Sequence, residues 1–272
     1  MTGRLLTDWV HEVRDNAAGP GRLHVWHRRD QPGWSDHAVA YWAGRLDGLS
    51  VVPSSRFAVV HRGRGCYLKR FVVRGWGDAL KHVVRPSRAR RALLGGGALE
   101  RAGFHAPRPV CLIEERVAGV IRGSALVTEE VVDAPDLRSW LNRPDLGVAT
   151  DFRRRRGLLR AFAREVGHLH AAGFHHADMR IGNILCRRRG PEWEFCWLDN
   201  EGLDHWRCLP RRLQAHNLMQ VNMERTGVTR ADRMRFWGEY QKAAGIDPGW
   251  SEDTLRSVIQ WTQKRWRERG WL

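Results

Sequence analysis

Apolar positions along the chain fall into two regimes. Between about residues 50 and 132 they come in short runs separated by turn residues. Residues 57–60 (Phe-Ala-Val-Val) and 66–73 (Cys-Tyr-Leu-Lys-Arg-Phe-Val-Val) predict two strands, and Arg62-Gly63-Arg64-Gly65 between them has the glycines of a tight hairpin. Pro86-Ser87 opens a helical run from 88 to 101, with Ser87 as its N-cap and Gly95-Gly96-Gly97 weakening its middle. After the break at Pro107-Arg108-Pro109, residues 110–113 and 124–128 predict two more strands, joined by a loop around Gly119. Asp133-Ala134-Pro135-Asp136 is a turn and cap before a short helix over 137–141.

Beyond Pro144 the period changes. Thr150 or Asp151 caps a helix reaching to about 172. Its apolar residues Phe152, Leu159, Phe162, Val166 and Leu169 step by helical intervals, and Gly173 closes it. Two short strands follow, over 184–186 and 195–198, with a polar arginine turn between them, and the chain from about 209 on reads as helical. The expected fold class is therefore α+β. A small antiparallel β-rich lobe with one helix spans 46–132, a larger mainly helical lobe spans 133–272, and residues 129–136 form the joint. Residues 1–45, mixed and Trp-rich, are expected to be an N-terminal extension with no assigned structure.

With 272 residues, 42% hydrophobic and 28% charged, the chain can bury a substantial core and is neither a disordered tail nor a membrane bundle. No apolar run reaches the eighteen or so residues that span a bilayer, and the charged first sixteen residues lack the apolar stretch of a signal peptide. The expectation is a cytoplasmic protein. Five scattered cysteines without a C-x-x-C pair support neither a zinc ribbon nor a disulfide framework. Forty-six Lys and Arg against thirty Asp and Glu give +16, spread over several arginine clusters. Nucleic acid, an anionic membrane surface and a phosphorylated substrate are all attracted by such charge. No nucleic-acid recognition motif is present, so that partner is not expected. The last twelve residues mix tryptophan and arginine, which suits either a docked terminal helix or an anionic bilayer.

The chemistry sits in residues 174–185, Phe-His-His-Ala-Asp-Met-Arg-Ile-Gly-Asn-Ile-Leu. Asp178 and Asn183 lie five apart on a loop between a long helix and a short strand. Asp199 ends another strand sixteen residues beyond Asn183. This set suits phosphoryl transfer: Asp178 orients a hydroxyl and accepts its proton, while Asn183 and Asp199 hold Mg²⁺ against nucleotide phosphates. A chance H-x-D-x-x-x-x-N-aliphatic-aliphatic match in a chain this long is on the order of one in a thousand. The alternative is that Asp178 and Asn183 only cap turns. His175 and His176 with Asp178 do not extend to any zinc-binding spacing.

These residues resemble the protein-kinase-like fold and, more narrowly, the Kdo/heptose lipopolysaccharide kinase family of bacteria. Tyr67-Leu68-Lys69-Arg70-Phe71 resembles the family's strand-three lysine segment. Residues 86–91 and 102–110 resemble its helix and proline-rich entry to the next strand. Residues 176–185, with Leu198-Asp199-Asn200-Glu201-Gly202, resemble its catalytic core, so the likeness covers about 50–245. The resemblance implies a two-lobe kinase using ATP and Mg²⁺. Lys69 would pair with the α- and β-phosphates, Asp178 would be the base, and Asn183 and Asp199 the metal ligands. Arg180 would stand near the transferred phosphoryl group. His176 would brace the loop, unless it is simply a core histidine. The implied acceptor is a sugar hydroxyl of lipopolysaccharide or another phosphorylated envelope glycolipid. Its enzyme would work in the cytoplasm, peripherally at the inner face of the membrane.

Four departures keep other readings in view. No G-x-G-x-x-G precedes Lys69; residues 52–55 (Val-Pro-Ser-Ser) are a candidate for the phosphate-covering turn, since backbone N–H groups in any tight turn can serve. Glu100 is the only acid on the helix that should supply the lysine's partner, and it sits late. Asp199 is followed by Asn-Glu-Gly, where Glu201 adds a carboxylate for the metal or caps the next turn. No Ala-Pro-Glu segment follows, which disfavours a peptide substrate. A kinase for a small soluble alcohol or for protein Ser/Thr, and a non-catalytic kinase-like binding module, are the alternatives.

Overall fold

The computed structural model describes residues 7–45, 47–54, 58–71 and 85–272. Its contacts divide the chain into two units, with the boundaries after Ala98, Ala106 and Val131. Expectations for Phe57, Val72, Val73 and Ser55, the last residue of the proposed phosphate-covering turn, lie outside the described residues.

The first unit is built on an antiparallel sheet. Its strands are β1 (Trp9–Asp15), β2 (Arg22–Arg28), β3 (Ser50–Val52), β4 (Ala58–Gly63), β5 (Cys66–Phe71), β6 (Pro109–Val117) and β7 (Val120–Glu129), in the spatial order β1-β2-β6-β7-β5-β4-β3. Among the described residues it also has the helix α1 (Gly33–Trp42) and most of α2 (Arg88–Arg101), whose last three residues fall in the second unit. Much of the segment left without assigned structure by the sequence is thus two strands and a helix, joined to the rest through the β2–β6 ladder. Both predicted connections are two-residue turns. Arg64-Gly65 and Ala118-Gly119 all have positive φ, the mirror-image turn whose twist matches that of the strands.

Alternation along the strands sets two cores. Cys111 and Ile113 of β6, with Leu23, Val25 and Val127, pack against Tyr41 and Trp42 of α1. Leu112, Leu126, Phe71 and Ala58 turn to the other face and meet Ala89 and Leu93 of α2. Lys69, two residues before Phe71, is paired with Val60 and Leu126 and stands on this α2 face, its Nζ 4.9 Å from the centre of the Phe71 ring. The three glycines of α2 are buried, so packing holds the helix against their low propensity.

One buried acid ties α2 to the sheet. Glu114 of β6 is fully buried and accepts from Ser87 Oγ (2.8 Å), Arg90 Nε (3.1 Å) and Arg116 Nη2 (2.6 Å). Burial pushes its carboxyl up, and the two arginines and Ser87 outweigh burial and hold it below the usual glutamate value. Glu114→Ala leaves those donors without their acceptor, and urea unfolding is expected to show a loss of about 3 kcal/mol. A depressed folded pKa stabilises above the unfolded value of about 4, so this contribution fades in the wild type as pH falls through the folded value. A variant as stable as wild type at pH 7 refutes the clamp.

The second unit carries α3 (Leu137–Asn142), α4 (Phe152–Ala171), α5 (Arg211–Asn222), α6 (Arg230–Ala244) and α7 (Pro248–Glu268), with two small antiparallel pairs. One pair is β8 (Phe174–His176) with β11 (Leu203–His205), and the other is β9 (Ile184–Arg189) with β10 (Glu192–Trp197). Asp151 caps α4 by accepting from the backbone N–H groups of Arg153 and Arg154 at 2.8 and 3.1 Å. Leu159, Phe162, Val166 and Leu169 are buried as their spacing predicts, but Phe152 is 46% exposed. At the helix's first position its ring serves as a platform for the guanidinium groups of Arg155, Arg156 and Arg235, 4.7–5.7 Å away. Gly173, at φ +84°, follows the helix, and a β-carbon there would strike the Trp206 carbonyl. Four cysteines are buried and Cys208 is exposed, all as free thiols. Among the described residues no helix is long and apolar enough to cross a membrane.

Candidate active site

The site in the second unit is assembled by two hairpin-like pairings and one helix. β8 delivers the chain to the H-x-D loop, and its pairing with β11 sets Leu203 opposite His176. The Ala177 N–H donates to the Gly202 carbonyl at 3.2 Å, which draws the H-x-D loop against the Asp199–Gly202 turn. The approach is so close that a β-carbon on Gly202 would lie 2.6 Å from that of Ala177.

The β9–β10 ladder places the two metal-ligand candidates. Ile184 pairs with Trp197, and the Leu198 N–H donates to the Asn183 carbonyl at 2.9 Å. Asn183 and Asp199 therefore leave adjacent strand ends at nearly the same level. The Asn183 side chain donates Nδ2–H to the Asp178 carbonyl at 3.1 Å, which closes the loop on itself and fixes which way the amide faces. Asp199 sits in the left-handed region at φ +59°, ψ +44°, a conformation Asp and Asn tolerate better than other non-glycine residues. Strain of this kind concentrates where a side chain must be aimed.

Asp178 is 36% exposed, and both its oxygens accept from Arg180, Nε on one and Nη2 on the other. Burial pushes its carboxyl up, but the Arg180 fork prevails and holds it below the usual aspartate range. His176 is buried and spends both ring nitrogens on the backbone. Nε2 donates to the Leu198 carbonyl at 2.9 Å, and Nδ1 accepts from the Asp178 N–H at 3.3 Å. Burial lowers its pKa, so it is neutral. The ring is a strut between the backbone of Asp178 and that of Leu198, the residue before Asp199.

Two further residues hold the loop, and nothing in the sequence pointed to them. Asn217 of α5 accepts from the His176 N–H at 3.1 Å and donates to the His176 carbonyl at 2.6 Å. Gln220, one turn on, accepts from the Met179 N–H at 2.9 Å and donates to the Ala177 carbonyl at 2.7 Å. On an isolated helix both would read as solvated polar positions. His216 precedes Gln220 by four and so shares its face. Burial, then the charges of Arg265 and Arg212, lower its pKa, while Asp178 opposes them.

His176, Asp178, Arg180, Asn183 and Asp199 thus come together in one unit. Lys69 lies in the other, and Glu100 is exposed at the C-terminal end of α2, within the second unit. Among the described residues no group of three or more His, Cys, Asp or Glu is placed to hold a metal. The carboxylate of Asp199 and the amide oxygen of Asn183 are hard donors of the type Mg²⁺ takes alongside nucleotide phosphates, so the residues present fit that ion.

A family model described as the lipopolysaccharide kinase (Kdo/WaaP) family matches residues 44–240. The chain belongs to this family. The kinase is 27% identical over 195 residues to the lipopolysaccharide core heptose(I) kinase WaaP of Pseudomonas aeruginosa, a match covering 65% of this chain and 70% of that protein. It is 30% identical over 95 residues to the 3-deoxy-D-manno-octulosonic acid kinase of Vibrio parahaemolyticus, 35% of this chain and 36% of that one. A solved structure described as WaaP in complex with acyl carrier protein superposes with a TM-score of 0.55 at 22% identity, covering 83% of this chain and 91% of the other. The fold is the protein-kinase-like one, and the kinase is an ATP-using phosphotransferase with an alcohol group as acceptor.

Proposed function

We propose that this kinase transfers the γ-phosphoryl group of ATP to a sugar hydroxyl of lipopolysaccharide or a related envelope glycolipid, and that Asp178, Arg180, Asn183, Asp199 and Lys69 carry the transfer. The register that sets Asn183 and Asp199 side by side, with Asp178 tied to the same amide, is the observation that supports this most. The acceptor oxygen bonds to the γ-phosphorus, the bond to the β–γ bridging oxygen breaks, and ADP leaves. Asp178 takes the hydroxyl proton. Because Arg180 engages both Asp178 oxygens in the resting protein, it has to turn toward the arriving phosphate for the carboxylate to act at full basicity. Mg²⁺, held by Asn183 and Asp199, would neutralise phosphate charge. Lys69 would reach the α- and β-phosphates, with Glu100 as the acid proposed to pair with it.

An anionic acceptor suits the charge of +16 and the cations of α5 and α7 that act on His216 beside Asp178. Peripheral attachment at the inner face of the cytoplasmic membrane suits the exposed Trp271 and Leu272, with Arg269 5.0 Å from the Trp271 ring. An acyl carrier protein, the partner seen with the WaaP neighbour, is a further binding partner to test; no residue pattern in the sequence suggested it. Purified kinase incubated with γ-labelled ATP, Mg²⁺ and lipopolysaccharide core is expected to label the glycolipid. Label appearing instead in an aminoglycoside, a choline-like alcohol or a protein hydroxyl overturns the acceptor.

A further inference from the structure

Behind the α5 clamp lies a second set of buried polar groups that phosphoryl transfer does not itself require. His170, in the last turn of α4, and Asn217 are buried, and Tyr240 of α6 is fully so. His170 Nδ1 lies 2.8 Å from the Tyr240 hydroxyl, and His170 Nε2 lies 3.3 Å from Asn217 Oδ1. The Tyr240 hydroxyl is also 3.2 Å from Gln214 Oε1.

The direction of each bond at Asn217 can be worked out. Asn217 Oδ1 accepts the His176 N–H, and Asn217 Nδ2 gives its two protons to the His176 carbonyl and to Gln220 Oε1, 3.1 Å away. Turning the amide over would set like groups against each other at all three contacts, so its orientation is fixed. The atom facing His170 is therefore an acceptor, and His170 has to donate from Nε2. Burial drives the His170 pKa down to about 3, so the ring is neutral and carries one proton. With that proton on Nε2, Nδ1 can only accept, so the single Tyr240 proton has to go to the nearer His170 Nδ1 and not to Gln214 Oε1. Gln214 Oε1 is an acceptor because Gln214 Nε2 donates to the Leu209 carbonyl, and a Tyr240 proton on it would instead demand the Nδ1–H tautomer. The other tautomer would point a lone pair at Asn217 Oδ1 and weaken the hold on His176.

We propose that His170 and Tyr240 are positioning residues of the phosphotransfer site: the Tyr240 hydroxyl and the Nε2–H tautomer of His170 orient the Asn217 amide, which in turn holds the H-x-D loop by both backbone groups of His176. The proposal rests on the assignment of Asp178 as base. It makes the loop's placement depend on contacts of α4 with α5 and α6, whose contributing residues Asn217 and Tyr240 lie some forty residues or more beyond His176 in sequence.

The test has two arms on the full chain. In the wild type, with ¹⁵N-labelled histidine, the His170 ring, assigned by its loss in His170→Gln, is expected to carry its proton on Nε2 from pH 5 to pH 9. A proton on Nδ1 overturns the proposal without any variant having to fold. In the second arm, phosphate release from ATP with Mg²⁺ is followed with and without lipopolysaccharide. His170→Phe, which removes the donor, is expected to lower kcat about tenfold or more with the KM for ATP within about twofold. His170→Gln, whose Nε2–H occupies the same place as the ring donor, should recover most of that loss. Tyr240→Phe should fall between the two. Wild-type turnover in His170→Phe, or a rise in KM with kcat unchanged, overturns the proposal. If lipopolysaccharide is not phosphorylated at all, the acceptor is wrong, while the tautomer and the release of phosphate to water still decide the role of His170.

Discussion

Asp178→Asn is expected to lower kcat about a thousandfold and to leave ATP binding nearly unchanged, because the amide keeps the shape of the side chain but loses its charge, its capacity to take a proton and one of its two bonds to Arg180. The surrounding structure makes this substitution interpretable. The backbone of the loop is held by His176, Asn217 and Gln220, none of which touches the Asp178 carboxylate, so the loop need not move when the charge is removed. The same site predicts a pH profile. Arg180 holds the Asp178 pKa below its ordinary value, so the active carboxylate persists below the usual aspartate range of about 4 and activity declines only as pH falls through the depressed folded value. Arg180→Met removes the fork, lets burial dominate and moves the acid limb of kcat/KM upward. Turnover of Asp178→Asn within tenfold of wild type, or an acid limb that Arg180→Met leaves in place, removes Asp178 from the role of base.

Much of the fold was legible because the relevant signals are local. The helix over 88–101 survives three glycines, the Gly173 stop is where a left-handed residue is needed, and the two Xaa-Gly turns show in the pattern. β1 and β2 were not legible. In Arg22–Arg28 the inward Leu23 and Val25 alternate with His24 and Trp26, whose rings stack with His11 on the opposite face, so the strand looks polar where it is in fact packed. The arginine turn near 187–194 was read as longer than it is. Arg187 and Glu194 pair across the strands at 2.8 Å, and only Gly190-Pro191 turns. At the site, Asp178, Asn183 and Asp199 follow from spacing, since a loop and a hairpin are short-range objects. Asn217, Gln220, His170 and Tyr240 act across forty to seventy residues of chain, and a buried polar residue on a helix leaves no mark in the sequence when its partner is so distant.

Asp199 offers the other large effect, and its backbone separates charge from shape. Asp199→Asn keeps a residue that accepts the left-handed conformation at φ +59°, so folding stability should change little while the carboxylate is lost. Asp199→Ala loses the carboxylate too, and in addition places a residue with no side-chain hydrogen bond in that conformation, at a cost of about 1 kcal/mol. Both variants are expected to lose the Mg²⁺-dependent rise in Tm that ATP gives the wild type, and to lose at least about a hundredfold in kcat. Only the alanine variant should also show a lower urea midpoint. Asn183 remains in place in both, because its orientation depends on the Asp178 carbonyl and the β9–β10 ladder rather than on the Asp199 side chain. A full thermal response to Mg²⁺ and ATP in Asp199→Asn would mean that the ion is held elsewhere, with Glu201, two residues on in the same turn, the next carboxylate to replace.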